Sequence, residues 1–78
     1  MLIDHNVPTK IAILGAGRGG TALLDLLHQI RTIEVVGIAD RDPRAPGLQR
    51  ARELHIPVLP HPADLIRHDR VDLIMDVT

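Results

Sequence analysis

The sequence contains no cysteine, phenylalanine, tyrosine or tryptophan. The absence of cysteine excludes disulfide bridges and thiolate metal sites. Without aromatic residues, aliphatic side chains must fill the core and would also line a pocket for any flat ligand, which would lack aromatic stacking. Hydrophobic residues still make up 45% of the chain, a normal fraction for a globular protein.

The chain also lacks an excess of charge and a long apolar run. Its formal net charge is −1 and no stretch is strongly basic, so we expect no nucleic-acid partner. The apolar runs are far shorter than a membrane span, and the N-terminus lacks the apolar core of a signal peptide. We therefore expect no membrane partner and a cytoplasmic location. The 78 residues suffice for one small domain.

What the sequence does contain is a glycine-rich segment that directly follows a short apolar run. The run at residues 11–14 predicts a strand that is covered on both faces in a parallel sheet. It leads into Gly15, Gly17 and Gly20, which have the G-x-G-x-x-G spacing. A helical period follows, and it predicts a buried face that consists of Leu23, Leu26, Leu27 and Ile30.

A second apolar run, at residues 35–39, is followed by the acidic residue Asp40. Strand, glycine turn, helix, strand and terminal acid form the sequence context of a dinucleotide-binding site. Gly15 would allow a tight turn, Gly17 a close approach of the pyrophosphate, and Gly20 close packing of the helix on the strand. Asp40 would accept hydrogen bonds from the adenosine ribose. The alternative interpretation is a glycine turn with a structural role only.

Other residues are candidates for cofactor contacts because they lie in or beside these segments. Arg18 would either cover the pyrophosphate or point to solvent. Arg41 would either contact the 2′-phosphate of NADP or be a solvated residue of a charged loop, whereas Asp40 would repel that phosphate, so we predict NAD and leave NADP open. Thr78 follows the last predicted strand and would contact the ribose or phosphate on the nicotinamide side, or simply end the strand. The turn residues Ala16 and Gly19 complete the predicted site.

The whole chain predicts an α/β fold with a βαβαβαβ element order. Right-handed crossovers wind these elements into a Rossmann-like parallel sheet with strand order 3-2-1-4. We expect a lead-in at residues 1–9 and a dinucleotide-binding domain at 10–78. The predicted strands are residues 10–14, 34–39, 56–60 and 71–77, and the predicted helices are residues 18–31, a segment that starts at Pro46, and residues 62–68.

The fourth predicted strand is strongly apolar and forms an edge of an incomplete doubly wound domain. An uncovered apolar edge favours association with another strand. We therefore expect the chain to be a fragment of a longer one. Either self-association or a following domain that packs at this edge would cover it.

No catalytic or metal-binding residue is identified. Asp76 is expected to lie deep in the last strand, where a buried carboxylate needs a partner, and a role as general base would rest on position alone. The histidines show no paired spacing of metal ligands and are interpreted as surface residues; they are His5, His28, His55, His61 and His68.

Four segments, residues 10–20, 36–43, 53–58 and 71–78, resemble the N-terminal domain of NAD(P)-dependent oxidoreductases. The most similar groups are the glucose-fructose oxidoreductase/inositol dehydrogenase group and the homoserine and aspartate dehydrogenases. The resemblance implies an NAD(P)-binding domain whose catalytic part is absent from this chain. We expect the segment alone to be inactive. His61-Pro62 departs from the pattern, since these oxidoreductases often have a Thr-Asp type helix cap there.

Residues 17–24 and 42–47 also resemble the Rossmann modules at the head of bacterial sensor kinases. This second resemblance implies a module that binds a dinucleotide without turnover and reports it to a signalling domain. A third interpretation, binding of S-adenosylmethionine, fits less well. The run into Gly15 carries no acid, and Gly20 fits the dinucleotide spacing.

Overall fold

The computed structural model describes residues 7–61, 63–64 and 71–78. The strands form one parallel sheet in the order β3-β2-β1-β4, which confirms the predicted α/β Rossmann-like fold and its strand order. Thr9, assigned to the lead-in, already belongs to the first strand. The predicted helix at residues 62–68 lies outside the described residues except for Ala63 and Asp64. The elements are β1 (Thr9–Leu14), α1 (Arg18–His28), β2 (Ile33–Ala39), α2 (Pro46–Glu53), β3 (Val58–Leu59) and β4 (Leu73–Asp76).

The main core lies between one face of the sheet and the two helices. Its largest fully buried side chains are Ile13 of β1, Leu24 of α1 and Ile38 of β2. A smaller cluster around Ala12 and Ala39 lies on the opposite face of the same strands. The core is therefore aliphatic, and β1 is buried on both faces, as the apolar run predicts.

Helix α1 buries Leu27 as predicted but is rotated relative to the rest of the predicted face. Leu26 and Ile30 were expected to be buried but are 60% and 36% exposed, whereas Leu24 is fully buried. The cause is Gly20, which lies so close to the turn that an added Cβ would overlap the carbonyl oxygen of Gly15. This contact fixes the side of α1 that faces the sheet, and Leu24, one turn after Gly20, follows it into the core.

Strand β2 contains one residue more than β1 opposite it. The register of the two strands shifts between Ile11 and Ala12, so that Val36 is the extra residue of a β-bulge. The shift brings Leu14 and Ala39, the last residues of the two strands, opposite each other. The segments that follow β1 and β2 therefore start side by side.

Helix α2 begins at Pro46, as predicted, and packs beside α1. Proline is favourable there because its missing N–H has no partner in the first helical turn. Leu48 and Ala51 are buried, and Arg50 forms an ion pair with Asp25 of α1, with 2.7 Å between Nε and Oδ1. These contacts hold α2 against α1.

The edges of the sheet are β3 and β4. Strand β3 has two residues rather than the five predicted, but it is an edge strand, as the prolines around it indicate. Strand β4 pairs with β1 from Leu73 to Asp76. In the part of the chain that the structure describes, no helix has the length and apolar character needed to cross a membrane.

Candidate functional site

A cleft of about 660 Å³ opens at the carboxyl ends of β1, β2 and β4. In open α/β sheets, ligands bind outside the carboxyl ends of the strands, where the strand order reverses. Here the order β2-β1-β4 places the end of β1 between the ends of the other two strands. The cleft is lined by Leu14, Gly15, Gly17, Ala39, Asp40, Arg41, Asp76, Val77 and Thr78.

The turn between β1 and α1 needs its glycines for different reasons. Gly15 has a φ of +102°, a backbone conformation that residues with a side chain rarely adopt. In addition, a Cβ at this position would lie 3.1 Å from backbone atoms of Val77 and Thr78. Gly17 has an ordinary φ of −74°, and an added Cβ there would meet no atom of the described residues within 4 Å, its two chain neighbours aside. The packing of the described residues therefore requires Gly15 but leaves open space beside Gly17.

Ala16, between these glycines, is fully buried and held from two sides. Its N–H donates to Oδ2 of Asp40 at 2.7 Å, and its carbonyl oxygen accepts from the N–H of Gly47 at 2.6 Å. A Cβ at Gly47 would lie 2.8 Å from that oxygen and 2.9 Å from the Ala16 Cβ. The turn is thus fixed by β2 and α2 without a ligand.

Asp40 follows β2 and faces the glycine turn, and both of its carboxylate oxygens accept hydrogen bonds from backbone N–H groups. Oδ2 accepts from Ala16, and Oδ1 accepts from the N–H of Asp42 at 2.8 Å. The Ala16 bond, and after it the Asp42 bond, lowers the pKa of Asp40 from its ordinary value of 3.8. The carboxylate is therefore charged at neutral pH, and each oxygen keeps a further lone pair for a ligand hydroxyl.

Asp76 lies in the same cleft, on the other side of β1. The expectation that it is buried is wrong: it is exposed, because it is the last residue of an edge strand. Its partner is Thr78, whose hydroxyl and N–H both donate to Oδ1, at 2.6 and 3.0 Å. These two bonds, the hydroxyl bond first, lower the pKa of Asp76.

The remaining predicted residues lie around this cleft. Arg41 lines it, whereas Arg18 and Gly19 lie on the exposed first turn of α1. Since Gly17 has no side chain to cap α1, the N–H groups of the first turn are available to an anion. Within residues 7–61, 63–64 and 71–78, no group of three or more histidine, aspartate or glutamate residues could hold a metal ion.

Two of these site features were missed by the sequence analysis. Asp76 was considered as a buried residue, although its place before Val77-Thr78 at a strand end is where ligands gather. Gly47 was given no role in the predicted site. The signal for Gly47 was its position directly after Pro46 at a helix start, because glycine is unfavourable in a helix and its presence there indicates a close contact.

Comparison with known proteins gives sequence relatives along most of the chain, although no protein-family model matches it. Acetaldehyde dehydrogenase 7 of Rhodococcus jostii is 35% identical over 75 residues, which cover 90% of this chain and 29% of that protein. An acetaldehyde dehydrogenase of Chloroflexus aggregans is 39% identical over 71 residues, with 88% and 23% covered. The chain thus spans about a quarter of the length of these relatives.

Solved structures have the same fold. A myo-inositol dehydrogenase of Lactobacillus casei, in complex with NAD(H) and myo-inositol, matches 92% of this chain and 22% of its own, with a TM-score of 0.78 and 27% identity. GenD2 from gentamicin A biosynthesis, in complex with NAD, matches 97% of this chain and 22% of its own, with a TM-score of 0.83. Its 20% identity supports the fold alone. The sequence analysis named the inositol dehydrogenase group but not the acetaldehyde dehydrogenases. The predicted resemblance of this chain to the Rossmann domain of NAD(P)-dependent oxidoreductases is confirmed.

Proposed function

We propose that the chain binds NAD and is the cofactor-binding domain of a dehydrogenase. The observation that carries this proposal is the open space beside Gly17, which no packing of the described residues explains. The charged Asp40 lies in the same cleft. A dinucleotide explains both features, because its pyrophosphate needs a backbone without a side chain and its ribose hydroxyls need an acceptor.

The charges of the cleft support NAD as the preferred cofactor. Asp40 would accept hydrogen bonds from the adenosine ribose and would repel the 2′-phosphate of NADP. Arg41 lines the cleft as well and would partly offset this repulsion, so NADP is expected as a weaker ligand. The N-terminus of α1, with Arg18 and Gly19 in its first turn, offers N–H groups and a partial positive charge to the pyrophosphate.

The first prediction is that Gly17→Val abolishes NAD binding and leaves the fold intact. The valine side chain would fill the space that the pyrophosphate needs, while a φ of −74° is one that valine adopts and an added Cβ meets no described residue within 4 Å. Titration calorimetry is the measurement, since the chain has no tryptophan as a fluorescence reporter. Far-UV circular dichroism reports on the fold.

Ala22→Val is the matched control for this experiment. It places a valine on the exposed face of α1, the helix that follows Gly17, and away from the cleft. NAD affinity should therefore not change. If the folded, unmutated chain binds no dinucleotide, or if Gly17→Val binds NAD as the unmutated chain does, the proposal is wrong.

We further propose that hydride transfer requires residues outside this chain. This chain matches only 29% and 23% of two relatives that bear the name acetaldehyde dehydrogenase, and the described residues contain no constellation for catalysis. The domain supplies cofactor binding and orientation, and the segment alone would show no turnover. A sensory role gains no support from the relatives and neighbours described above. A cytoplasmic location remains a prediction of the sequence.

A further inference from the structure

We infer that His61, acting with Arg41, makes the choice between NAD and NADP depend on pH. Once its imidazole is protonated, His61 would contact the 2′-phosphate of NADP, so that NADP gains affinity relative to NAD. The inference rests on the proposed function and adds a regulated cofactor preference to the same site. The sequence analysis interpreted His61 only as a surface residue in a segment that departs from the oxidoreductase pattern.

The sheet register brings His61 to the adenosine side of the cleft. Ala39 of β2 pairs with Leu59 of β3 in a parallel ladder, so the two strands end at the same level of the sheet. Arg41 and His61 each follow two residues after this pair. Both residues line one cavity of about 500 Å³, and both are exposed and therefore accessible to a ligand.

A smaller cavity shares Arg41 and Pro60 with the first one and includes Asp40. Its volume is about 330 Å³, and the charged residues that line it are Asp40, Arg41 and Arg52. Arg41 lines both cavities and the cofactor cleft, and Asp40 lines the cleft and the smaller cavity. A ribose whose 2′ position lies at Asp40 therefore has Arg41 beside it and His61 in the next cavity.

The charged groups around His61 come from three segments of the described residues. Arg41 lines the same cavity, and the N–H of Asp64 donates to the carbonyl oxygen of His61 at 3.0 Å. Asp40 and Arg52 line the adjoining cavity. Within residues 7–61, 63–64 and 71–78, the side chains of Arg41 and His61 have no hydrogen-bond or ion-pair partner, so both can contact an anion.

Protonation of His61 would change the balance of charge at the 2′-phosphate. Asp40 is charged at neutral pH, because its hydrogen bonds from the N–H groups of Ala16 and Asp42 lower its pKa. A phosphate monoester carries a charge of about −1.5 to −2 at neutral pH, so the attraction of Arg41 is opposed by the repulsion of Asp40. Histidine gains its positive charge between about pH 8 and about pH 5, and this added cation would favour NADP. NAD has an uncharged hydroxyl at the same position and gains little.

The test measures the affinities of NAD and NADP by titration calorimetry at about pH 8 and about pH 6.5, a range in which histidine changes charge and a phosphate monoester keeps most of its second charge. His61→Asn removes the titratable group and keeps a polar side chain. His55→Asn is the matched control, because His55 is an exposed histidine that lines neither the cleft nor the two cavities. Its φ of +59° is one that asparagine also adopts.

We expect the affinity of the unmutated chain for NADP, relative to NAD, to rise about two- to fivefold from the higher to the lower pH, the effect of an exposed ion pair. NADP binding should also take up protons, since the phosphate favours the charged imidazole, whereas NAD binding should not. Calorimetry in two buffers of different ionisation enthalpy measures this uptake. Both effects should disappear in His61→Asn and persist in His55→Asn.

Arg41→Ala separates the permanent charge from the titratable one. It should weaken NADP about two- to fivefold at both pH values and leave the pH-dependent rise in place. Arg44→Ala is its control, since Arg44 is exposed in the same loop but does not line the cleft or the two cavities. This control should change neither affinity.

The inference is wrong, with NAD binding intact, if NADP binds at neither pH or if its affinity relative to NAD does not change with pH. It is also wrong if His61→Asn keeps the rise. Equal loss of NAD and NADP affinity in that variant would overturn it too, because His61 would then contact a part that both cofactors share. A folded, unmutated chain that binds neither NAD nor NADP would overturn the proposed function itself.

Discussion

Asp40 combines a structural and a binding role in one carboxylate. The fingerprint predicts an acid at this position, and the structure places it in the cleft with Gly17. The structure adds a contact that the sequence pattern does not indicate. The Asp40 carboxylate accepts a hydrogen bond from the N–H of Ala16 and so stabilises the glycine turn. Removal of Asp40 should thus change both the ligand contact and the shape of the turn.

We predict that Asp40→Ala weakens NAD by about 1 to 3 kcal/mol, the usual effect of losing a charged hydrogen-bond partner. NADP should be weakened less, or bind more tightly, because repulsion of the 2′-phosphate disappears and Arg41 remains. Calorimetry with both cofactors measures the difference. The unfolding free energy should fall as well, because Ala16 and Asp42 each lose a hydrogen bond.

Asp42→Ala is a suitable control for that change. Asp42 also accepts a backbone N–H bond, from Arg44 at 2.9 Å, but it does not line the cleft. Its substitution should leave both cofactor affinities unchanged. If Asp40→Ala weakened NAD and NADP equally, Asp40 would serve the turn only, and the preference for NAD would need another origin.

Asp76 illustrates why some residues of the site could not be assigned from the sequence. An apolar run indicates a strand, but burial depends on the strand's place in the sheet and on what covers it. The apolar run that contains Asp76 suggested burial. Because this run forms an edge strand and Asp76 is its last residue, the side chain is exposed. Its bond to Thr78 is local, two residues apart, and becomes visible only once the strand end is located.

At the scale of elements, the order and direction of the strands followed from the sequence, but helix rotation and strand register did not. The spacing of apolar residues in α1 allowed more than one buried face, and the contact of Gly20 with Gly15 selected the one that includes Leu24. The bulge at Val36 depends on pairing with β1. The glycine spacing predicted the close approach of Gly20, but neither the helix rotation that results from it nor the bulge has a local sequence signal.

We expect the N-terminus of α2 to stabilise the glycine turn through the contact between Gly47 and Ala16. We predict that Gly47→Ala lowers the unfolding free energy by about 1 to 3 kcal/mol, the usual effect of forcing an extra methyl group into a packed site. The methyl group would lie 2.8 Å from the Ala16 carbonyl oxygen. NAD affinity should also fall, because displacement of Ala16 moves the adjacent Gly17.

Gln49→Ala, in the same helix, controls for general effects on α2. Gln49 is exposed, and its substitution should change neither stability nor affinity by more than about 0.5 kcal/mol. Urea unfolding followed by circular dichroism gives the stability, and calorimetry gives the affinity. A Gly47→Ala chain with unchanged NAD affinity would show that α2 does not position the turn.

At the scale of the whole molecule, apolar side chains in and beside β4 are exposed to solvent. Leu73 is 50% exposed, Ile74 38% and Val77 40%, and among the described residues only β1 pairs with this strand. Exposed apolar edge strands pair readily with other strands. We propose that a second copy of this chain, or a domain that follows in a longer protein, covers this surface.

For the chain by itself, we predict self-association through this edge. Sedimentation at tens of micromolar should give a mass above that of the monomer. Ile74→Lys should shift the chain to monomer, because a lysine on an edge strand opposes pairing, while circular dichroism shows a retained fold. Leu26→Lys is the matched control, since Leu26 is 60% exposed on α1, and it should leave the mass unchanged. A monomeric unmutated chain would contradict self-association. If both lysine substitutions lowered the mass equally, the copies would associate through general apolar contact rather than through β4.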